Sequence, residues 1–236
     1  MLPERNFDAL ETQIGYTFSD RNLLQRVFIH RSALNENRQL GLENNERLEF
    51  LGDAVLELVV TEYLYLKYNK PEGELTNWRS ALVRGQHLAE ISENIGFGDL
   101  MYLSHGEAKS GGKAKQLILA NAFEALIGAM FLDGGYEPIK QFIAKFVLVH
   151  LDTILQSGQH IDPKSQLQEI TQEKHGITPN YKVLDEQGPD HQKIFTVGVY
   201  LNDKQIGTGQ GNSKQLAQIQ AAVAGIEYLN SENSKH

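Results

Sequence analysis

The sequence predicts two domains: an all-α domain over residues 1–155 and a small α+β domain over 162–231. Apolar residues recur at helical spacing through the first part, and no segment there alternates with the period of two typical of a strand. A polar, breaker-rich stretch follows, which we interpret as a linker over 156–161. Beyond it the pattern changes to helix, three short strands and helix, which indicates a separate α-β-β-β-α domain.

The individual elements follow from spacing and from turn residues. In the first domain, helices are predicted over 22–33, 46–68, 76–94, 115–132 and 139–155. Asp20 is placed to cap the first of these helices, and residues 104–113 form a polar, glycine-rich loop. In the second domain, helices are predicted over 164–175 and 214–229, with strands over 181–185, 194–201 and 204–209.

Composition limits the class of protein. The 236 residues include no cysteine, which excludes disulfides, thiolate metal sites and a cysteine nucleophile. The charged N-terminus lacks the apolar region of a signal peptide, and the longest apolar run, 125–132, is shorter than the ~20 residues needed to cross a bilayer. We therefore expect a cytoplasmic location and no membrane partner. The net charge of −8 argues only weakly against nucleic acid, because carboxylates that bind a cation contribute to it.

The segment 45–60, NERLEFLGDAVLELVV, carries the most information. Glu46, Glu49 and Asp53 fall within roughly 60° of one another on one face of a helix, and Glu57 prolongs that stripe. The surrounding residues are strongly apolar, so we expect a largely buried helix. Because buried, unpaired carboxylates are unfavourable, a cation is expected to face the stripe, and a divalent metal is the simplest candidate.

A second apolar helix offers matching oxygen ligands. Asn121 and Glu124 lie three residues apart on one face within LILANAFEALIGAMFLDGG. Two helices that each present oxygen atoms can enclose a hard cation such as Mg²⁺. The alternative is that each stripe is simply the solvated face of its helix. Gly52, which interrupts the first stripe, favours close approach of two helices instead.

The motif NERLEFLGDAVLEL closely resembles the signature of the ribonuclease III family. FIHRSALNE, PEGELT, GEAKSGG and LANAFEALIGAMFLDGG match further family motifs in the same order. The resemblance implies an endonuclease that hydrolyses double-stranded RNA with Mg²⁺, with Mn²⁺ as a substitute. It also implies 5′-phosphate and 3′-hydroxyl ends with short 3′ overhangs, processing of ribosomal RNA precursors and structured messenger RNA, and a homodimer.

The resemblance also implies roles for individual residues. Glu49, Asn121 and Glu124 would bind the metal, Asp53 and Glu124 would be catalytic, and Glu46 would belong to the wider acidic cluster. The family usually has Asp at position 121, and the amide here brings no charge, so metal affinity should fall. A tolerated natural variant, an engineered substitution and a pseudo-enzyme all remain open, and the four retained carboxylates favour the first.

Two further residues carry hypotheses. Phe50 is the candidate for the dimer interface, with an ordinary core position as an equal alternative. Glu74 is interpreted as a charge at a helix N-terminus rather than as a cleft residue. Two rival functions also remain: a catalytically impaired protein that only binds double-stranded RNA, and a hydrolase of small phosphate esters, which would leave the second domain unexplained.

The second domain resembles a double-stranded RNA-binding domain, through DPKSQLQE, GPDH, FTVGVY and GQGNSKQLAQIQAA. Such domains recognise the shape and 2′-hydroxyls of A-form RNA. The residues implied in RNA binding are Ser165, Gln168, Glu169, His191, Ser213 and Lys214. Gln215 replaces a second basic residue of the family, and Gln218 and Ile219 replace a Glu-Gln pair, so we expect weak binding by the isolated domain and reliance on the dimer for avidity.

Overall fold

The structure is a computed structural model, and it describes residues 3–36, 41–109, 111–158, 162–189 and 193–233. The chain divides into two compact units, Met1–His160 and Ile161–His236. The first unit is helical, and the second combines two helices with a three-stranded antiparallel sheet. The predicted fold class is therefore confirmed.

The first unit consists of short helices around two long ones. Its elements are α1 Asp8–Ile14, α2 Arg21–Val27, α3 Arg31–Glu36, α4 Glu46–Lys67, α5 Glu72–Leu82, α6 Gly85–Ile95, α7 Phe97–Leu100, α8 His105–Ala108, α9 Lys113–Gly134, α10 Tyr136–Phe146, a 3₁₀ turn Leu148–His150 and α11 Leu151–Ser157. Asp20 caps α2 as predicted, since its side chain accepts from the N–H groups of Asn22 and Leu23.

Three predicted helices are interrupted in the structure. The segment 22–33 breaks after α2 because Ile29 forms a parallel bridge with Tyr102, and the N–H of Tyr102 donates to the carbonyl of Phe28 at 2.8 Å. The segment 76–94 divides into α5 and α6 at Val83 and Arg84. The segment 139–155 divides after Phe146, where α10 ends and the 3₁₀ turn Leu148–His150 leads into α11. In addition, α11 runs to Ser157 and so enters the segment that was predicted as linker.

Helix α9 is the centre of the first unit, and it packs against α4 and α6. Of the described residues, α9 alone is long and apolar enough to cross a membrane by length and composition, and it contains the apolar run 125–132. Most of that helix is buried inside the unit, as in the core helix of a globular fold. Near its end, Asp133 accepts hydrogen bonds from the Tyr16 hydroxyl at 2.6 Å and from the N–H groups of Ser19 at 3.0 Å and Asp20 at 2.9 Å.

Helices α4 and α9 touch through their backbones at two glycines. A Cβ added to Gly52 would lie 1.7 Å from the carbonyl oxygen of Glu124, and one added to Gly128 would lie 2.2 Å from that of Leu48. Neither position has room for a side chain. The close helix approach predicted from Gly52 is therefore confirmed, and it brings the acidic end of α4 against Asn121 and Glu124.

The second unit contains α12 Pro163–His175, β1 Asn180–Gln187, β2 Ile194–Leu201, β3 Lys204–Gly211 and α13 Lys214–Asn233. The strands pair antiparallel in the order β1-β2-β3. Small residues let α13 lie directly on β3, because a Cβ on Gly209 would come within 2.1 Å of the backbone nitrogen of Ala221. The fully buried residues include Leu167, Val197, Val199, Ala217, Ala221 and Ala222.

Candidate functional site

The acidic first turns of α4 face the middle of α9. The Glu49 carboxylate is half-buried and accepts a hydrogen bond from the Asn121 side chain, which only the amide nitrogen can donate. Glu124 is half-buried on the next turn of α9, and the charges of Asp53 and Glu49 both act on it. The structure therefore brings Glu49, Asp53, Asn121 and Glu124 together across the contact at Gly52.

The pKa values show how unfavourable this cluster is without a cation. Burial, followed by the charges of Asp53 and Glu49, raises the pKa of Glu124 to about 7. Burial and the charge of Glu46 also raise the pKa of Glu49, although the hydrogen bond from Asn121 acts in the opposite direction. A positive ion would relieve both effects at once.

The outer part of the stripe differs from expectation. Glu46 and Asp53 are exposed, so the prediction of a largely buried stripe is wrong for both. Helix α4 is buried only along the face that packs in the core, and its acidic end reaches the surface beside it. Glu46 already has partners, since Arg31 Nη1 lies 3.5 Å from one carboxylate oxygen and Asn44 Nδ2 donates to the other at 3.0 Å. Glu57 instead lies 3.8 Å from Arg79 Nε, so the stripe ends at Asp53.

The donor set fits a hard cation that retains water. All the facing ligand atoms are oxygens, and the amide hydrogen bond from Asn121 to Glu49 leaves the Asn121 carbonyl oxygen available. Among the described residues, however, no three His, Asp or Glu side chains converge closely enough to enclose an ion by themselves. Mg²⁺ suits such an open arrangement, because it is usually bound by one or two carboxylates and keeps several of its waters.

Helix α4 also exposes large apolar side chains. The side chain of Phe50 is 80% exposed, so the alternative that places it in the core is wrong. Leu58, Tyr65 and Leu66 are also largely exposed. A shallow groove beside Phe50 is lined by Arg47, Leu51 and Leu132, among others. Sequence analysis missed all of these except Phe50, because periodicity alone assigned the apolar residues of α4 to the core.

Glu74 lies in the first turn of α5, where a negative charge interacts favourably with the helix N-terminus. Its carboxylate is 3.2 Å from Lys70 Nζ, one turn before it. This position agrees with the interpretation of Glu74 as a helix N-terminal charge.

In the second unit, Ser165, Gln168 and Glu169 share an exposed face of α12. The hydroxyl of Ser165 donates to the capping carboxylate of Asp162 at 2.8 Å, so it also stabilises the helix start. These three polar side chains form a continuous surface for hydrogen bonding to a groove. His191 lies outside the described residues.

The beginning of α13 holds the other predicted contacts. The Ser213 hydroxyl accepts from the N–H of Leu216 at 3.2 Å, and Lys214 is the first residue of the helix. Sequence analysis missed the neighbours of Lys214. Its ammonium lies 2.9 Å from a carboxylate oxygen of Glu186, and Lys193 Nζ lies 3.4 Å from the other oxygen.

Comparison with known proteins agrees with both units. Residues 20–151 match the ribonuclease-III-like family model, and residues 163–229 match the double-stranded RNA binding motif. The ribonuclease 3 of Enterococcus faecalis is 44% identical over 221 residues, covering 93% of this chain and 96% of the relative. The ribonuclease 3 of Protochlamydia amoebophila is 42% identical over 221 residues, covering 93% and 90%.

A solved structure of the nuclease domain of ribonuclease III from Campylobacter jejuni is also similar. It superimposes with a TM-score of 0.54 at 42% identity, and the match covers 60% of this chain and 95% of that one. The family-model match and the near-complete coverage of the relatives agree with the two-unit fold and with the acidic cluster between α4 and α9. The chain therefore belongs to the ribonuclease III family, and it is an endoribonuclease that acts on double-stranded RNA.

Proposed function

We propose that this endoribonuclease cleaves double-stranded RNA by Mg²⁺-dependent phosphodiester hydrolysis, leaving 5′-phosphate and 3′-hydroxyl ends with short 3′ overhangs. The meeting of Glu49, Asp53, Asn121 and Glu124 across the glycine contact carries this proposal. When bound, Mg²⁺ supplies an activated water and stabilises the charge on the departing oxygen. Mn²⁺ has the same preference for oxygen ligands and would substitute for it.

The residues of the cluster have separate tasks. Glu49, Asn121 and Glu124 hold the ion, because they are the half-buried members of the cluster and their positions are set by packing of α4 on α9. Asp53 is exposed at the mouth of the cluster and orients the attacking water. With a pKa of about 7, the carboxyl of Glu124 is only partly ionised near neutral pH in the absence of the ion, and binding of the ion would release the remaining proton.

The exposed face of α4 supports a homodimer. Phe50, Leu58, Tyr65 and Leu66 are apolar and largely exposed, and groups of exposed apolar residues commonly mark protein interfaces. The description of the solved Campylobacter jejuni nuclease domain refers to a region involved in dimer formation. In the proposed dimer, Phe50 packs against the same face of a second copy. Two RNA-binding units in one assembly then supply the avidity that a weak single unit lacks.

The second unit determines which RNA molecules the enzyme cleaves. The second unit directs the enzyme to A-form duplexes by shape and by contacts to 2′-hydroxyls and phosphates rather than by sequence. Substrates are therefore the duplex regions of ribosomal RNA precursors and structured messenger RNA, in the cytoplasm. The absence of cysteine from the sequence is compatible with that reducing compartment.

A cleavage assay tests the central proposal against the alternative of a catalytically impaired RNA-binding protein, which Asn121 favours. A long RNA duplex is incubated with Mg²⁺ or Mn²⁺ and with the wild type, Glu124→Gln or Glu137→Gln. Glu137 is an exposed residue of α10 and controls for the loss of one charge. We expect cleavage by the wild type and by Glu137→Gln, and a loss of several orders of magnitude in Glu124→Gln. A duplex that is bound but left intact by the wild type with both metals would support the alternative.

A further inference from the structure

The carboxylate of Glu186, near the end of β1, lies between two lysines of the second unit. One oxygen is 2.9 Å from Lys214 Nζ and the other is 3.4 Å from Lys193 Nζ. The ion pair and hydrogen bond with Lys214, supported by Lys193, hold the pKa of Glu186 below its ordinary value, so the group is ionised at neutral pH. The Lys214 ammonium also lies over the ring of Phe195, 5.4 Å from its centroid.

The ion pair with Glu186 engages Lys214, the first residue of α13. A lysine beside the free N–H groups of a helix N-terminus is well placed to bind an RNA phosphate. Here the ammonium of Lys214 already has a carboxylate partner from the same unit. A phosphate that approaches Lys214 must displace Glu186 or share the ammonium with it, and the two anions repel each other.

We propose that Glu186 is an intramolecular competitor of RNA phosphate at Lys214, and that it lowers both the affinity and the salt sensitivity of duplex binding. The inference rests on the proposed RNA binding by the second unit. Glu186 would thereby raise the specificity for A-form duplexes. A unit whose phosphate contact is weakened depends more on contacts that only an A-form duplex supplies.

The ion pair between Glu186 and Lys214 contributes little to the stability of the second unit. The Lys214 side chain is 57% exposed and that of Glu186 is 34% exposed, and exposed ion pairs contribute little to stability. Replacement of Glu186 by Gln should therefore leave folding intact. It would leave both lysines in place and raise the local positive charge by one.

The experiment measures binding of the full-length protein to an RNA duplex of about 20 base pairs, longer than the roughly 16 that such a domain spans. EDTA prevents cleavage, and fluorescence polarisation is recorded between about 50 and 200 mM KCl. Glu186→Gln is compared with Glu227→Gln, which makes the same charge change at an exposed position about 20 Å along α13 from Lys214. Thermal melting of each variant checks that folding is unchanged.

We expect Glu186→Gln to bind about two- to fivefold more tightly than the wild type at low salt. The slope of log affinity against log salt should also steepen, by up to about one unit. Glu227→Gln should change neither quantity appreciably, and the gain from Glu186→Gln should shrink when Lys214→Gln is also present. If the wild type binds and Glu186→Gln matches Glu227→Gln, the inference about Glu186 is overturned alone. If no variant binds the duplex, both the inference and the proposed RNA binding by the second unit are overturned.

Discussion

Substitution of Gly52 by alanine tests whether the α4–α9 contact sets the geometry of the acidic cluster. The new Cβ would lie 1.7 Å from the carbonyl oxygen of Glu124 and 2.9 Å from the backbone nitrogen of Gly128. An ordinary contact begins at 3.4 Å, so the two helices must separate locally by about 1.7 Å. The atoms that would have to move are backbone atoms inside a packed helix, and no rotamer change can relieve the overlap.

The expected effect on stability follows from two opposing terms. Overpacking of a tight core costs about 1–3 kcal/mol, and this site should lie at the upper end because backbone atoms collide. Alanine recovers up to about 1 kcal/mol through its higher helix propensity. A net loss of about 2 kcal/mol would lower the Tm by roughly 4–8 °C for a protein of this size.

The effect on catalysis should be larger. A displacement of about 1 Å in catalytic groups can lower the rate about a hundredfold, and the separation expected here places Glu49 and Asp53 farther from Glu124. We therefore expect at least a hundredfold loss in cleavage of a long duplex with Mg²⁺. RNA binding through the second unit should be retained, because that unit folds around a separate core.

Gly98→Ala is the matched control. Gly98 lies in α7, and a Cβ there meets no atom within 4 Å, so the same added methyl should change neither Tm nor cleavage appreciably. The reasoning would be refuted if Gly52→Ala retained both its melting temperature and its cleavage rate. A lowered Tm with full activity would show that the helix separation does not reach the catalytic groups.

Three further predictions concern the dimer, the metal and the pH dependence of folding. Phe50→Asp should convert the proposed dimer to a monomer in sedimentation velocity and lower cleavage, whereas an unchanged mass would exclude this face as the interface. Asn121→Asp should lower the Mg²⁺ concentration needed for half-maximal cleavage, and an unchanged requirement would show that charge at position 121 is unimportant. Although burial opposes its ionisation, hydrogen bonds from Tyr16 and from two backbone N–H groups hold the pKa of Asp133 below its ordinary value of 3.8. Asp133→Asn should therefore cost about 1–3 kcal/mol at neutral pH, with the difference from wild type shrinking as pH falls below 3.8 through the lower folded-state pKa, as urea titrations would reveal.

The long elements could be predicted from sequence because each contains enough turns for its period to show. Helix α4 was predicted within one residue at its C-terminus, and the strand over 194–201 was predicted with its observed bounds. The short helices α1, α7 and α8 were missed, because one or two turns give little periodic pattern. The break in the segment 22–33 depends on a bridge to Tyr102, a contact between residues far apart in the chain that no local pattern contains.

In the candidate site, too, local spacing predicted which residues share a helix face but not which partners they have on other elements. Spacing along the helix correctly grouped Glu49 and Asp53, since a helix fixes which residues share a face. Spacing could not show that Glu57 is paired with Arg79, because Arg79 belongs to another helix. For the same reason the contact of Glu186 with Lys214 had no sequence signal, although both residues lie in or beside recognisable motifs. Partners from other elements decide whether a charged residue remains available to a ligand.

Asn121 illustrates how one such partner changes the chemistry of the cluster. An Asp at this position would add a carboxylate to a group in which burial and neighbouring charges already raise the pKa of Glu124 to about 7. Asn121 instead donates a hydrogen bond to Glu49, which stabilises the ionised form of that carboxylate without a cation. The substitution therefore keeps an oxygen atom in the position of the ligand while it removes one charge. Its effect should fall on the affinity for Mg²⁺ rather than on the placement of the ion, and cleavage at saturating Mg²⁺ should approach that of Asn121→Asp. This expectation favours a working enzyme with a weaker metal site over a protein that has lost catalysis.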